Sequence, residues 1–169
     1  MSPGAGSYPW YALRVRSRSE FTTATALREK GYSEFVPFYR SKRQWSDRVT
    51  EIRMPLFPGY VFCRFDASQP YFVLNSPGVV HVVAAGKRPL EVNEAEVSHV
   101  WSICHSGAGV NPWPFLEAGR RVLLERGPLA GIEGIVVDAK PSCRIVVSLS
   151  MLQRSVSAEI EREWIKPLK

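Results

Sequence analysis

Cysteine is scarce in this chain, and the three present are widely spaced. Cys63, Cys104 and Cys143 form no CxxC pair and are odd in number, so neither a disulfide framework nor a structural zinc site is expected. A reducing cytoplasm is the simple reading. Histidine is equally sparse, and His81, His99 and His105 show no HExxH or other ligand spacing. No apolar run approaches the roughly 18 residues that cross a bilayer as a helix, so no membrane association is expected. Residues 1–9 lack a basic n-region and an apolar h-region, which excludes a signal peptide there and leaves a short disordered lead. There is no GxxxxGK[ST] loop, no GxSxG elbow and no convergent pair of carboxylates. These absences point away from an enzyme and toward a binding protein with no cofactor or metal.

Positive charge is what the chain does have. Its 169 residues carry a formal charge of +6, with a sequence pI near 9.5, spread over both halves rather than gathered in a tail. Such a balance suits nucleic acid or another acidic partner. The length allows one average domain or two small ones.

Tyr11, Leu13 and Val15 alternate with Ala12, Arg14 and Arg16, the period of a half-buried strand. Ser17 and Glu20 fit a capping box that opens a helix burying Phe21, Ala24 and Leu27 and stopping at Gly31. Residues 35–39 read as a short edge-like strand. Residues 40–53 hold five basic and two acidic residues with one tryptophan, and Ser46-Asp47 supplies a turn, so a protruding β-hairpin is expected.

The uncharged stretch 54–62 follows, with Pro55, Pro58 and three aromatics, Phe57, Tyr60 and Phe62. Proline removes ladder donors and Gly59 permits a tight turn, so this is a rigid apolar corner feeding a strand over 60–65. It is either core or docking surface. Residues 71–75 fit a helix or a strand equally. Pro77-Gly78 makes a turn before an apolar strand at 79–84, within which His81 reads as a structural, hydrogen-bonded histidine. Asn93 and Glu96 suggest a second capping box, with Val97, Val100, Trp101 and Cys104 on one helical face.

Residues 106–117 read as a linker, flexible at its glycines and stiffened at its prolines. After it come short strand-like runs at 121–126, 132–139, 144–150, 155–160 and 164–166, a small β-barrel. The glycine-rich 127–134 reads as a turn and bulge in that barrel. The fold class is therefore α+β, with domains expected at 8–105 and 118–169.

Three segments in order, Trp10-Tyr11, Phe57-Pro58-Gly59-Tyr60-Val61-Phe62 and Ser76-Pro77-Gly78-Val79-Val80, resemble the N-terminal domain of NusG-type transcription elongation factors. Gly119-Arg120-Arg121-Val122 and the stretch 127–136 look like a KOW motif, and 147–154 and 164–168 fit too. The resemblance covers about residues 8–168. It implies an NGN-type α/β sandwich followed by an SH3-like KOW barrel, and a monomeric factor that rides on RNA polymerase. It implies docking on the polymerase clamp helices through Phe57, Pro58, Tyr60 and Phe62, with Trp10 and Tyr11 nearby and at least Phe57 and Tyr60 at the surface. It implies upstream or non-template DNA near Arg40, Lys42, Arg43, Trp45 and Arg48.

In the general factor the barrel recruits termination factor Rho or a small ribosomal protein, which matches Met151, Leu152 and Arg154 here. An aromatic usual in that loop is absent, and Gln153 replaces a glycine. The departure argues against Rho binding, while the Pro55-Leu56-Phe57-Pro58 context, the basic hairpin and the short linker resemble a specialised antitermination paralogue serving long operons such as polysaccharide clusters. A general housekeeping factor is the alternative. A ribosome-associated RNA-binding KOW protein is the alternative of another class.

Overall fold

The computed structural model describes residues 8–116, 118–139 and 142–169. The lead expected over residues 1–9 lies, up to residue 7, outside the described residues, as does residue 117 of the expected linker. The chain divides into two compact units, Met1–Glu94 and Ala95–Lys169.

In the first unit, strand β1 (Trp10–Val15) leads to helix α1 (Glu20–Glu29), strand β2 (Ser33–Phe35), the long strands β3 (Phe38–Trp45) and β4 (Arg48–Pro55), and β5 (Tyr60–Arg64). The one-turn helix α2 (Tyr71–Leu74) follows, with the short strands β6 (Val79–Val82), β7 (Ala84–Ala85), β8 (Arg88–Pro89) and β9 (Glu91–Val92). The stretch that fits helix or strand equally is thus helical. The main sheet runs β2-β5-β1-β6, with β9 also on β1, and all its pairings are antiparallel.

Side chains alternate across this sheet. Tyr11, Leu13 and Val15 of β1 and Val61 and Cys63 of β5 join Phe65, and pack with Ala24 and Leu27 of α1. The expected half-buried strand is in fact buried on both faces, since Trp10, Ala12 and Phe62 on the opposite face are also enclosed. Burial pushes the Cys63 thiol up to about 12 with a smaller push from Glu34, so it is no nucleophile at neutral pH.

Helix α1 starts differently from the expected capping box. Its N-cap is Ser19, and no side chain caps it. Arg18 takes a left-handed φ of 64° just before, which turns the chain from strand into helix. Glu20 is buried, and its carboxylate accepts the Gly59 backbone N–H at 2.8 Å. A local cap was expected; a long-range bond to the apolar corner is found.

The second unit holds most of helix α3 (Glu94–His105) and strands β10 (Val110–Trp113), β11 (Arg120–Leu124), β12 (Glu133–Ala139), β13 (Ser142–Leu149), β14 (Arg154–Ile160) and β15 (Ile165–Pro167). These strands form one antiparallel sheet in the order β10-β14-β13-β12-β11-β15. Ile145, Val147 and Leu149 of β13 and Val156, Ala158 and Ile160 of β14 alternate into its core. Gly127, at φ 80°, lies where a Cβ would meet the Trp164 ring at 2.7 Å, so the expected turn at 127–134 needs glycine there.

Two expectations differ in this unit. Val97, Val100 and Ile103 are the buried residues of α3, while Trp101 and Cys104 are half-buried. Glu96 accepts hydrogen bonds from the Ser150 N–H and hydroxyl, so it ties α3 to the Ser150 turn within the second unit. Residues 110–113, expected within a linker, form a strand of the barrel sheet. No helix among the described residues is long and apolar enough to cross a membrane.

Candidate docking corner and basic hairpin

The corner is a tight turn over Phe57, Pro58, Gly59 and Tyr60. The Tyr60 N–H donates to the Phe57 carbonyl at 3.1 Å. Proline at the second position fits the fixed φ a type II turn needs, and Gly59 at φ 84° fits its third position. Two long-range bonds fasten it, Gly59 N–H to Glu20 and Val15 N–H to the Gly59 carbonyl at 2.8 Å. Leu56 N–H donates to the Pro37 carbonyl at 2.9 Å, which fixes where the corner begins.

This frame sorts the expected docking residues. Phe57 is 1% exposed and packs edge-to-face on Phe62, ring centroids 5.9 Å apart; Phe62 in turn lies 6.3 Å from Phe35. The expectation that Phe57 is a surface contact is corrected: the turn points its ring inward, where three phenylalanines form a cluster. Phe62 is buried as well. Trp10 is buried beneath the Arg64 guanidinium, 4.6 Å from its ring, and Tyr11 lies in the opposite core against Phe65. Desolvation raises the Tyr11 pKa, as its burial requires. Pro58 is exposed and Tyr60 is half-buried.

Sequence reasoning missed Arg14. It projects from the exposed position of β1, its guanidinium 5.1 Å from the Tyr60 ring centre and 3.5 Å from the Pro58 carbonyl it donates to. The exposed tip of the corner is therefore Pro58, Tyr60 and Arg14. Only the β1 alternation, which turns Arg14 away from the core, hinted at this.

Gly59→Ala tests the corner directly. A methyl there meets Arg14 Nη1 at 2.0 Å, and any side chain at this φ is strained. The mobile guanidinium yields easily, so backbone strain dominates, about 1–2 kcal/mol. The expected result is a lower unfolding midpoint together with displacement of Arg14 from Tyr60, read from the Tyr60 ring resonances by NMR.

The basic segment forms the expected hairpin. Strands β3 and β4 pair from Phe38↔Pro55 to Trp45↔Arg48 around the two-residue turn Ser46-Asp47. Directly opposed residues share a face, and neighbours along a strand do not. Trp45, Arg48 and Arg43 thus lie on one face, while Arg40, Lys42, Glu51 and Arg53 lie on the other. All five expected nucleic-acid residues are exposed, Trp45 by 60%. Arg40 is partly neutralised by Glu51 at 3.3 Å. Arg53 was also missed: its guanidinium sits 4.8 Å from the Phe21 ring and 5.4 Å from the Phe38 ring, which anchors the hairpin base to α1. His81 is exposed rather than structural, with Nδ1 3.2 Å from the Val82 carbonyl.

In the second unit, Ser150–Leu152 form a one-turn 3-10 helix. Met151 and Leu152 are half-buried and Arg154 is exposed. Gln153, standing where a glycine was expected, takes a left-handed φ of 51°, and its amide donates to the Ser150 carbonyl at 2.9 Å. That bond compensates locally for the backbone glycine would have eased.

A family model described as "Transcription termination factor nusG" matches residues 8–101. The transcription termination/antitermination protein NusG of Helicobacter pylori is 25% identical over 174 aligned residues, covering 94% of this chain and 98% of that protein. Its Thermus thermophilus counterpart is 28% identical over 123 residues, covering 65% and 66%. Among solved structures, one described as "Domain interaction in Thermotoga maritima NusG" matches with a TM-score of 0.58 at 19% identity, covering 98% of this chain and all of that one. The last likeness supports the two-part fold, an NGN-type domain followed by a small β KOW domain. The chain belongs to the NusG family of transcription termination and antitermination factors.

Proposed function

We propose that this chain binds RNA polymerase through the corner of its first unit and keeps it elongating through pauses and terminators. The observation that carries the reading is the preorganised tip: a proline and a half-buried tyrosine under an arginine, locked by the Glu20–Gly59 bond. Tyrosine and arginine are enriched among the residues that dominate interface energies, and a tyrosine ring brings much contact area at low entropic cost. In this reading Pro58, Tyr60 and Arg14 touch the clamp helices of the largest subunit. Phe57, Phe62, Trp10 and Tyr11 are the packed support that shapes the tip.

The hairpin face bearing Trp45, Arg43 and Arg48 takes upstream or non-template DNA, phosphates on the arginines and an unpaired base on the indole. Arg40 and Lys42 on the other face add charge. Met151, Leu152 and Arg154 offer a partner contact for a ribosomal protein or Rho. The missing aromatic and Gln153 favour a specialised antiterminator of long operons over the housekeeping role.

The test is in vitro transcription with the polymerase of the same cell on a template carrying a pause and a terminator. The parent chain should raise readthrough, and Tyr60→Ala and Pro58→Ala chains should not. Equal readthrough with folded variants and parent would refute the corner as the contact. With Rho present, the specialised reading predicts that readthrough persists and that Rho does not co-purify with the chain. Added termination would favour the housekeeping reading.

A further inference from the structure

Residues 10–19 hold three arginines, Arg14, Arg16 and Arg18, and no acidic residue. Arg14 faces out from β1, directly opposite Tyr60 of β5 and His81 of β6, so neither cross-strand neighbour brings a carboxylate. Arg16 is the next outward position of the same alternation and is exposed just past the strand end. Glu20, the nearest acid in sequence, is buried and accepts the Gly59 N–H at 2.8 Å.

Arg18 stands in a costly place. The Ser19 N–H donates to the Arg16 carbonyl at 3.0 Å, which closes a turn with Ser17 and Arg18 at its centre. Arg18 takes φ 64° there. A positive φ at the third position of a turn suits glycine or asparagine, and another residue held there costs stability. The Arg18 side chain is exposed, and among the described residues it meets no carboxylate, carbonyl or ring that offsets the cost. Stability therefore does not account for an arginine at this position, and strain of this kind collects where a ligand is contacted.

Elsewhere arginine finds glutamate: Arg28 pairs with Glu34, Arg64 with Glu94 and Arg144 with Glu159. Among the described residues Arg14, Arg16 and Arg18 have no such partner. Arg14 spends one of its five N–H donors on the Pro58 carbonyl, at 3.5 Å. Three charges with donors to spare thus border the uncharged stretch 54–62. Residues two apart along a strand are separated by about 6.5 Å, and residues four apart on one face of a helix by about 5–6 Å. Spacing alone suits a phosphate backbone as well. The apolar Pro58 and the Tyr60 ring in contact with Arg14 decide for a protein, because a helix with an apolar stripe beside an acidic row covers both.

From this we infer that Arg14, Arg16 and Arg18 are an acceptor row for an acidic amphipathic helix of the polymerase. Its apolar stripe lies on Pro58 and Tyr60, and its carboxylates, three or four residues apart, take the guanidiniums. The inference rests on the corner being the polymerase contact and adds the chemistry of the surface that the corner takes. Charges placed in this way steer the encounter and fix the register of the bound helix. The row is separate from the hairpin face bearing Trp45, which keeps the nucleic acid.

Binding of the full chain to core RNA polymerase from the same cell, without nucleic acid and across a salt series, tests the inference. Arg14→Gln combined with Arg16→Gln should weaken binding at least about fivefold at low salt, as loss of two exposed ion pairs does. It should also flatten the salt dependence and leave the affinity for a single-stranded oligonucleotide unchanged. Arg18→Gly should weaken polymerase binding about twofold while the unfolding midpoint holds or rises, since glycine relieves the turn. Arg14→Lys and Arg16→Lys, each coupled to polymerase with a zero-length carbodiimide, should give links that the parent does not, at carboxylates three or four residues apart in one helix. If the double and Arg18→Gly variants bind as the parent does while Tyr60→Ala binds more weakly, the row is refuted and the corner stands. A loss seen only with the oligonucleotide, or no new links, refutes the row too, and a lower midpoint for Arg18→Gly removes Arg18 from it. A parent that does not bind polymerase refutes both.

Discussion

Replacing Phe57 with alanine is expected to destabilise the first unit by about 3–5 kcal/mol, the usual loss for a buried phenylalanine truncated to a methyl. The ring is 1% exposed and sits edge-to-face on Phe62, which also meets Phe35. Its removal opens a cavity that the stiff turn prevents from collapsing, since Gly59 is bonded to both Glu20 and Val15. Domains of this size are stable by only about 5–15 kcal/mol, so the variant should lose much of its margin. Amide exchange of β5 in increasing denaturant measures the effect on this unit alone. A loss below about 0.5 kcal/mol is the signature of a surface residue and would contradict the inward position. Tyr60→Ala serves as the contrast: half-buried beneath Arg14, it should cost the fold far less.

The second large effect concerns the hairpin. Trp45 is 60% exposed and shares its face with Arg43 and Arg48. On a single-stranded oligonucleotide, Trp45→Ala should weaken binding by about 1–3 kcal/mol, the range for loss of one stacked base. Arg43→Ala with Arg48→Ala should flatten the slope of log affinity against log salt by about 1.4, or about 0.7 for each phosphate that is no longer neutralised. The pair Arg40→Ala and Lys42→Ala should change it less, because both lie on the opposite face and Arg40 is partly neutralised by Glu51. Fluorescence anisotropy across a salt series reads all three. Equal slopes for the two double variants would remove the assignment of DNA to the Trp45 face.

The hairpin was legible because charge, a turn dipeptide and its place before an apolar stretch all agree locally. The strands of the second unit were legible for the same reason, as short β-branched runs set apart by turns, several of which carry glycine, proline or serine. The inward turn of Phe57 was not, since an aromatic before a proline reads alike in core and surface; only the Phe35–Phe62 cluster decides it. Glu20 obeys the local grammar of a capping box, yet its carboxylate finds Gly59, 39 residues away in sequence. Arg14 and Arg53 act through rings brought near by pairing, Tyr60 for one and Phe21 and Phe38 for the other. Strand β10 was hidden because proline argues against a strand unless it falls on a non-bonded position, which register alone reveals. Legibility thus ended where a residue's partner is distant in sequence.

The most direct test is an equilibrium titration of the core RNA polymerase from the same cell with the intact chain, its Tyr60→Ala variant and its Trp45→Ala variant. All three must first match in β5 amide exchange. The parent should bind without nucleic acid present, Trp45→Ala should bind equally well, and Tyr60→Ala should bind at least about tenfold more weakly, as loss of a central interface aromatic requires. Undiminished binding by folded Tyr60→Ala, or no binding by the parent, would contradict the assignment of the corner as the polymerase contact.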